Sequence, residues 1–197
     1  MNRLTSIGSA LRKQGKYKDA LPYLQRALAI SEKTLGPDHP GVAAALSDLG
    51  TNLRRLARYE EALQAHRREL AIQEKVFGPE SLSVARALDD VSATLAEQGR
   101  PSSGGINSPD TYSQAAEALS YLQHSLAIKE KALGPEHLDL GSTLAKLANM
   151  SIDVGDLNAA LAYNRRALAI EEKVLGPEHP VVAVVLSNLG GHPVPTR

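Results

Sequence analysis

Apolar and small residues recur at helical spacing along the chain. Leu46, Leu49, Gly50 and Leu53 stand at i, i+3, i+4 and i+7, one stripe of a 3.6-residue period. Tyr59, Ala62, Leu63, Leu70 and Val76 form a second stripe just after it. The pattern predicts a helix A from about His39 to Leu56 and a helix B from about Tyr59 to Val76. Gly78 is placed to end helix B in a left-handed cap, and Pro79 blocks continuation. One unit earlier, Asp38 is placed to cap the next helix, with Pro40 tolerated in its first turn.

The same paragraph of sequence returns. The 24 residues from Ala27 match those from Ala167 at 17 positions. Gly-Pro pairs at Gly36, Gly78, Gly134 and Gly176 are spaced by 42, 56 and 42 residues, as are Ile30, Ile72, Ile128 and Ile170. This makes four copies of a 42-residue unit, at about 1–38, 39–80, 81–136 and 137–178, with a 14-residue insertion at 101–114 in the third. A partial fifth helix is expected over 179–190, then a flexible tail over 191–197. In the insertion, Pro101 to Gly105 reads as a loop, and Ser108-Pro109 as a helix start that extends helix B backward by about two turns. One hairpin cannot bury so narrow a stripe, so the copies must stack as an all-α solenoid.

Leu4, Ile7, Gly8, Leu11, Ala20, Leu24 and Ala27 fall where the tetratricopeptide repeat places its large and small packing residues. The longer unit, with its recurring RALAI and LGP elements, resembles the kinesin-light-chain variant of that family. The resemblance covers almost the whole chain. It implies a right-handed superhelix of antiparallel helix pairs and a role in binding proteins rather than in catalysis.

Composition narrows the partners. With 22 basic and 22 acidic residues, no global charge draws the chain to nucleic acid or a membrane surface. There is no cysteine, and no apolar run long enough for a leader or a membrane span, so a cytoplasmic location is expected. His39, His137 and His179 sit beside carboxylates in the Gly-Pro turns. Equivalent residues of stacked copies lie roughly 20 Å apart, two helix diameters, whereas metal ligands must converge. Turn formation and helix capping account for them, and His66 and His124 read as packing or surface residues. No catalytic residue, metal ligand or cofactor is expected.

On helix A, the face opposite the core stripe lines the family's concave groove. That face carries Thr5, Arg12 and Lys13, then Ser47, Thr51, Arg54 and Arg55, then Arg86, Asp89 and Glu97, then Asn149 and Asp153. The groove is expected to be basic toward the first copies and acidic toward the last. Arg12, Lys13, Ser47, Thr51, Arg54, Arg55, Arg86, Asp89 and Asn149 are the candidate peptide-binding residues. A basic floor favours an acidic peptide, although the four N-terminal cations also stand at helix ends, where they complement the dipole. Two readings of function stand at this stage. One is a scaffold that binds a partner's peptide segment. The other is a structural, oligomerising or sensor-arm segment of a larger signalling protein, self-associating through Val184 and Leu189 of an uncovered end helix.

Overall fold

The structure, a computed structural model, describes residues 3–99, 109–180 and 182. Among them lie eight α-helices and no strand. They are α1 (Arg3–Lys13), α2 (Tyr17–Leu35), α3 (Pro40–Arg55), α4 (Tyr59–Phe77), α5 (Leu82–Gln98), α6 (Pro109–Leu133), α7 (Leu140–Asp153) and α8 (Leu157–Leu175). The loop of the expected insertion (101–108), most of the expected fifth helix with Val184 and Leu189, and the tail lie outside the described residues.

Consecutive helices pack against each other along the whole order, and α1 touches α3 as α3 touches α5. The odd-numbered helices therefore line one side of the array. The core crosses from each pair to the next: Ala20 and Leu24 of α2 cluster with Leu49 and Leu53 of α3 and Ala62 of α4. A second cluster joins Leu63, Val91, Leu95, Leu122, Leu144, Leu147 and Ile170 across five helices.

All four Gly-Pro turns share one geometry. The amides of Gly36, Gly78, Gly134 and Gly176 donate to the carbonyls of Glu32, Glu74, Glu130 and Glu172 at 2.9–3.1 Å. These glycines are not in the left-handed helical conformation that the sequence suggests. At Gly36, Gly78 and Gly176 φ is 81 to 88° but ψ is 154 to 158°. The following proline excludes helical ψ from the residue before it, and only glycine combines extended ψ with positive φ at low cost.

Asp38 does not cap α3. The cap is His39, whose Nδ1 accepts from the Gly41 amide at 2.9 Å, while Asp38 pairs with Lys75 of α4. His137 accepts likewise from the Asp139 amide at 3.2 Å, and Ser81 takes the same office for α5 by accepting from Val84. The ion pair recurs at each junction, as Asp38–Lys75, Glu80–Lys131 and Glu136–Lys173. A parallel row joins Glu32 to Arg68 and Glu130 to Arg166. These pairs are exposed or half-exposed, so each contributes about 0–1 kcal/mol, and they align the pairs more than they hold them.

α6 has 25 residues against 19 in α2, α4 and α8. It starts at Pro109, where its counterparts would start at Ala115. In the turns from odd to even helix, Gly15 and Gly155 have φ of 73 and 83°, and Ala57 is forced to 57° at the same place.

Two outcomes are expected. Ala57→Gly removes a left-handed alanine and should raise stability by about 0.5–1 kcal/mol, read from the urea unfolding midpoint. Glu171 is buried on α8, and loss of hydration pushes its carboxyl above the usual range, with His179 pulling the other way. The folded state thus holds that proton more tightly than the unfolded state. Stability contributed here falls as pH rises from the ordinary glutamate range through the raised value, and is level above it. Glu171→Gln should flatten that decline in a series of unfolding midpoints against pH.

Candidate peptide-binding groove

Seven of the nine candidate residues line three separate recesses along the odd-helix side, and Ser47 and Arg54 are held in side-chain pairs instead. A cavity of about 350 Å³ opens between α1 and α3, lined by Ser9, Arg12, Lys13, Tyr17, Asp48, Thr51 and Arg55. Arg12 pairs with Asp48 across it. Lys13 and Arg55 are exposed and make no ion pair among the described residues. Arg12 and Lys13 close the last turn of α1, and Arg54 and Arg55 that of α3, where the free carbonyls favour cations. The two helix ends converge here, and the positive charge of the recess comes from the side chains, since the helix C-termini themselves carry partial negative charge.

The remaining candidates are more engaged. Arg54 pairs with Glu97 of α5, and Ser47 donates to Asp90 at 3.3 Å. Asp89 is not an open carboxylate at the acidic end of a groove. It is buried and receives Lys129 Nζ at 2.8 Å and Lys146 Nζ at 3.2 Å. A carboxylate removed from water must be paired, and here the cations come from α6 and α7. Lys129 also donates to Thr143 at 2.7 Å, so one ammonium ties α5, α6 and α7 together. Arg86 stands with Asp89 and Lys129 in a recess of about 310 Å³. Asn149 is exposed beside Lys146, Met150 and Leu122 in a third of about 180 Å³.

Away from the groove, α4 and α5 enclose polar groups in the core. His66 and Glu69 are fully buried, and His66 Nδ1 lies 3.3 Å from Glu69 Oε2. Asp90 approaches from α5, and the ligand-type atoms of the three residues lie within 4.8 Å of one another. Burial pushes the Glu69 carboxyl up and the charge of Asp90 adds to this, while His66 and Ser47 pull it down. Attention to the turn histidines missed this group. Its signal was a change of residue type within one column: the equivalents of His66 are Leu24, Leu122 and Asn164, and those of Glu69 are Ala27, Ser125 and Ala167.

With this geometry established, known proteins supply context. The tetratricopeptide repeat model matches residues 2–75, 52–103 and 113–171. Among solved structures, the chain is similar to nearly identical TPR-like repeats assigned to a kinesin light chain of Podosopora anserina. Identity is 22% and the TM-score 0.77, over 95% of this chain and 82% of that one. A second structure of those repeats gives 23% and 0.79 over the same shares. BtubC (BKLC) from P. vanneervenii is 19% identical with a TM-score of 0.68, over 97% of this chain and 65% of that one. At these identities the likeness is one of fold. No curated protein matches the chain.

Lys129→Met should strip Asp89 of its nearer cation and leave the Thr143 hydroxyl unpaired. With Lys146 still in place, a loss of about 1–3 kcal/mol is expected in urea unfolding. Lys146→Met should cost less, because the Lys146 side chain is 43% exposed against 13% for Lys129.

Proposed function

The chain belongs to the tetratricopeptide repeat family, and from that premise we propose that it is a non-catalytic scaffold that binds an acidic segment of a partner protein between α1 and α3. Repeats of this family generally mediate protein–protein interaction and are generally not catalytic. No described helix is long and apolar enough to cross a membrane.

The observation that carries the reading is the pair of exposed cations, Lys13 and Arg55, facing one recess without ion-pair partners among the described residues. Elsewhere along the same side Arg54 is matched by Glu97, and Lys129 and Lys146 by Asp89, while Arg86 stands alone among the described residues as a single exposed cation in its recess. Two uncompensated cations beside the hydroxyls of Ser9, Thr51 and Tyr17 suit a carboxylate-bearing segment. The charges steer it in, and the hydroxyls add directional contacts. Arg12 stays on Asp48 and holds the recess open. Of the nine candidates, Arg12, Lys13, Thr51 and Arg55 form the contact set under this reading, and Arg86 and Asn149 are further along the path of a longer segment.

Fluorescence polarisation against labelled acidic, basic and neutral peptide pools tests it. Saturable binding of the acidic pool, weakened by salt and lost in the Lys13→Glu, Arg55→Glu double variant, is the expected result. Binding that survives the double reversal, or no preference for the acidic pool, overturns it.

A further inference from the structure

We propose that the α4–α5 junction holds one divalent transition-metal ion, ligated by His66, Glu69 and Asp90. His66 and Glu69 stand at i and i+3 on α4, on one face, and Asp90 reaches them from α5. Zinc-type ions bind imidazole nitrogen and carboxylate oxygen at about 2.0–2.2 Å, so neighbouring ligand atoms of a tetrahedral site sit about 3.4 Å apart. His66 Nδ1 and Glu69 Oε2 are 3.3 Å apart, and the three ligand atoms all fall within 4.8 Å. A side-chain adjustment of about an ångström closes the sphere.

Two further observations point to an occupant. Glu69 Oε1, on the carboxylate that faces His66 Nδ1, is buried and has no hydrogen-bond partner. Buried polar atoms are ordinarily satisfied, so this cluster is a costly one as it stands. Charge also fails to close. One buried and one half-buried carboxyl face one imidazole, and when both are ionised a dication with neutral His66 balances them. Ser47 Oγ, 3.3 Å from Asp90 Oδ2, is placed to orient that carboxylate, as outer partners of metal ligands do. Gly50 makes room for the imidazole: a Cβ there would lie 2.7 Å from the ring. The other helix pairs place no histidine or carboxylate in these two α4 columns, apart from the amide of Asn164. The ligand set is therefore peculiar to this junction, and the ion would pin the second helix pair to the third.

The test uses the full chain stripped with EDTA and dialysed. Co2+ is titrated by visible absorbance, and Zn2+ binding is followed by calorimetry and thermal melting. The expected result is one ion per chain, with a melting midpoint about 5–10 °C higher at Zn2+ a hundredfold above Kd. His66→Leu with Glu69→Ala installs the residues of the first pair, Leu24 and Ala27. This variant should fold and lose both the stoichiometric ion and the shift. Asp90→Asn, at a half-buried position, should weaken binding at least tenfold and decides the matter should the double variant not fold. No bound ion in the parent chain overturns the proposal. So does equal binding by the folded double variant, or by Asp90→Asn, since the ion would then sit on the surface histidines of the Gly-Pro turns.

Discussion

The array rests on how closely the two helices of a pair approach. At the crossing, one residue of the odd helix must be small: Gly8, Gly50, Ser92 and Ala148 occupy that place. A Cβ at Gly8 would come within 2.6 Å of Leu24. In the third pair, where both columns carry serine, the hydroxyls are put to use. Ser92 donates to the Ala118 carbonyl and Ser125 to that of Ala85, each at 3.0 Å, so the buried oxygens are satisfied while the helices stay in contact. With that distance set, the large residues of each pair are left pointing at the next, and stacking follows as the only way to cover them.

Most of this was legible before any coordinates. The stripe of Leu46, Leu49, Gly50 and Leu53 predicted a helix from about His39 to Leu56, against Pro40–Arg55 observed. Helix B was expected over Tyr59 to Val76 and runs Tyr59–Phe77. Such positions declare themselves because burial on one face imposes a period on the chain itself. The caps were less legible. Asp38, His39 and Ser81 are all chemically able to accept an amide, and the choice turned on which of them a lysine of the next pair would claim.

The groove was the least legible part. The odd-helix face gives the direction of the candidate residues, but not their state. Asp89 reads as a free acid and Arg54 as a free base until Lys129 and Glu97 are found beside them, 40 and 43 residues away in sequence. Periodicity gives a residue's direction. It carries no information on which charge the adjacent helix brings to the same point. Once those pairings are subtracted, Lys13 and Arg55 remain as two exposed cations in one recess and Arg86 as a single one in another. The polar cluster of His66, Glu69 and Asp90 was hidden for a related reason: it belongs to one junction, and a reading tuned to what recurs passes over what does not.

The ion pairs of the Gly-Pro turns have a consequence of another kind. Each unit carries an acid after its own turn and a lysine on its own even helix, and at the three described junctions the acid meets the lysine of the unit that follows. Every unit thus arrives with a plug at one edge and a socket at the other. A unit spliced in or out would leave this acid–lysine contact matched at each remaining turn. For these turn contacts, array length can change without the turns having to be rewritten. Features confined to one junction, such as the histidine and carboxylates between α4 and α5, act as markers of which unit is which.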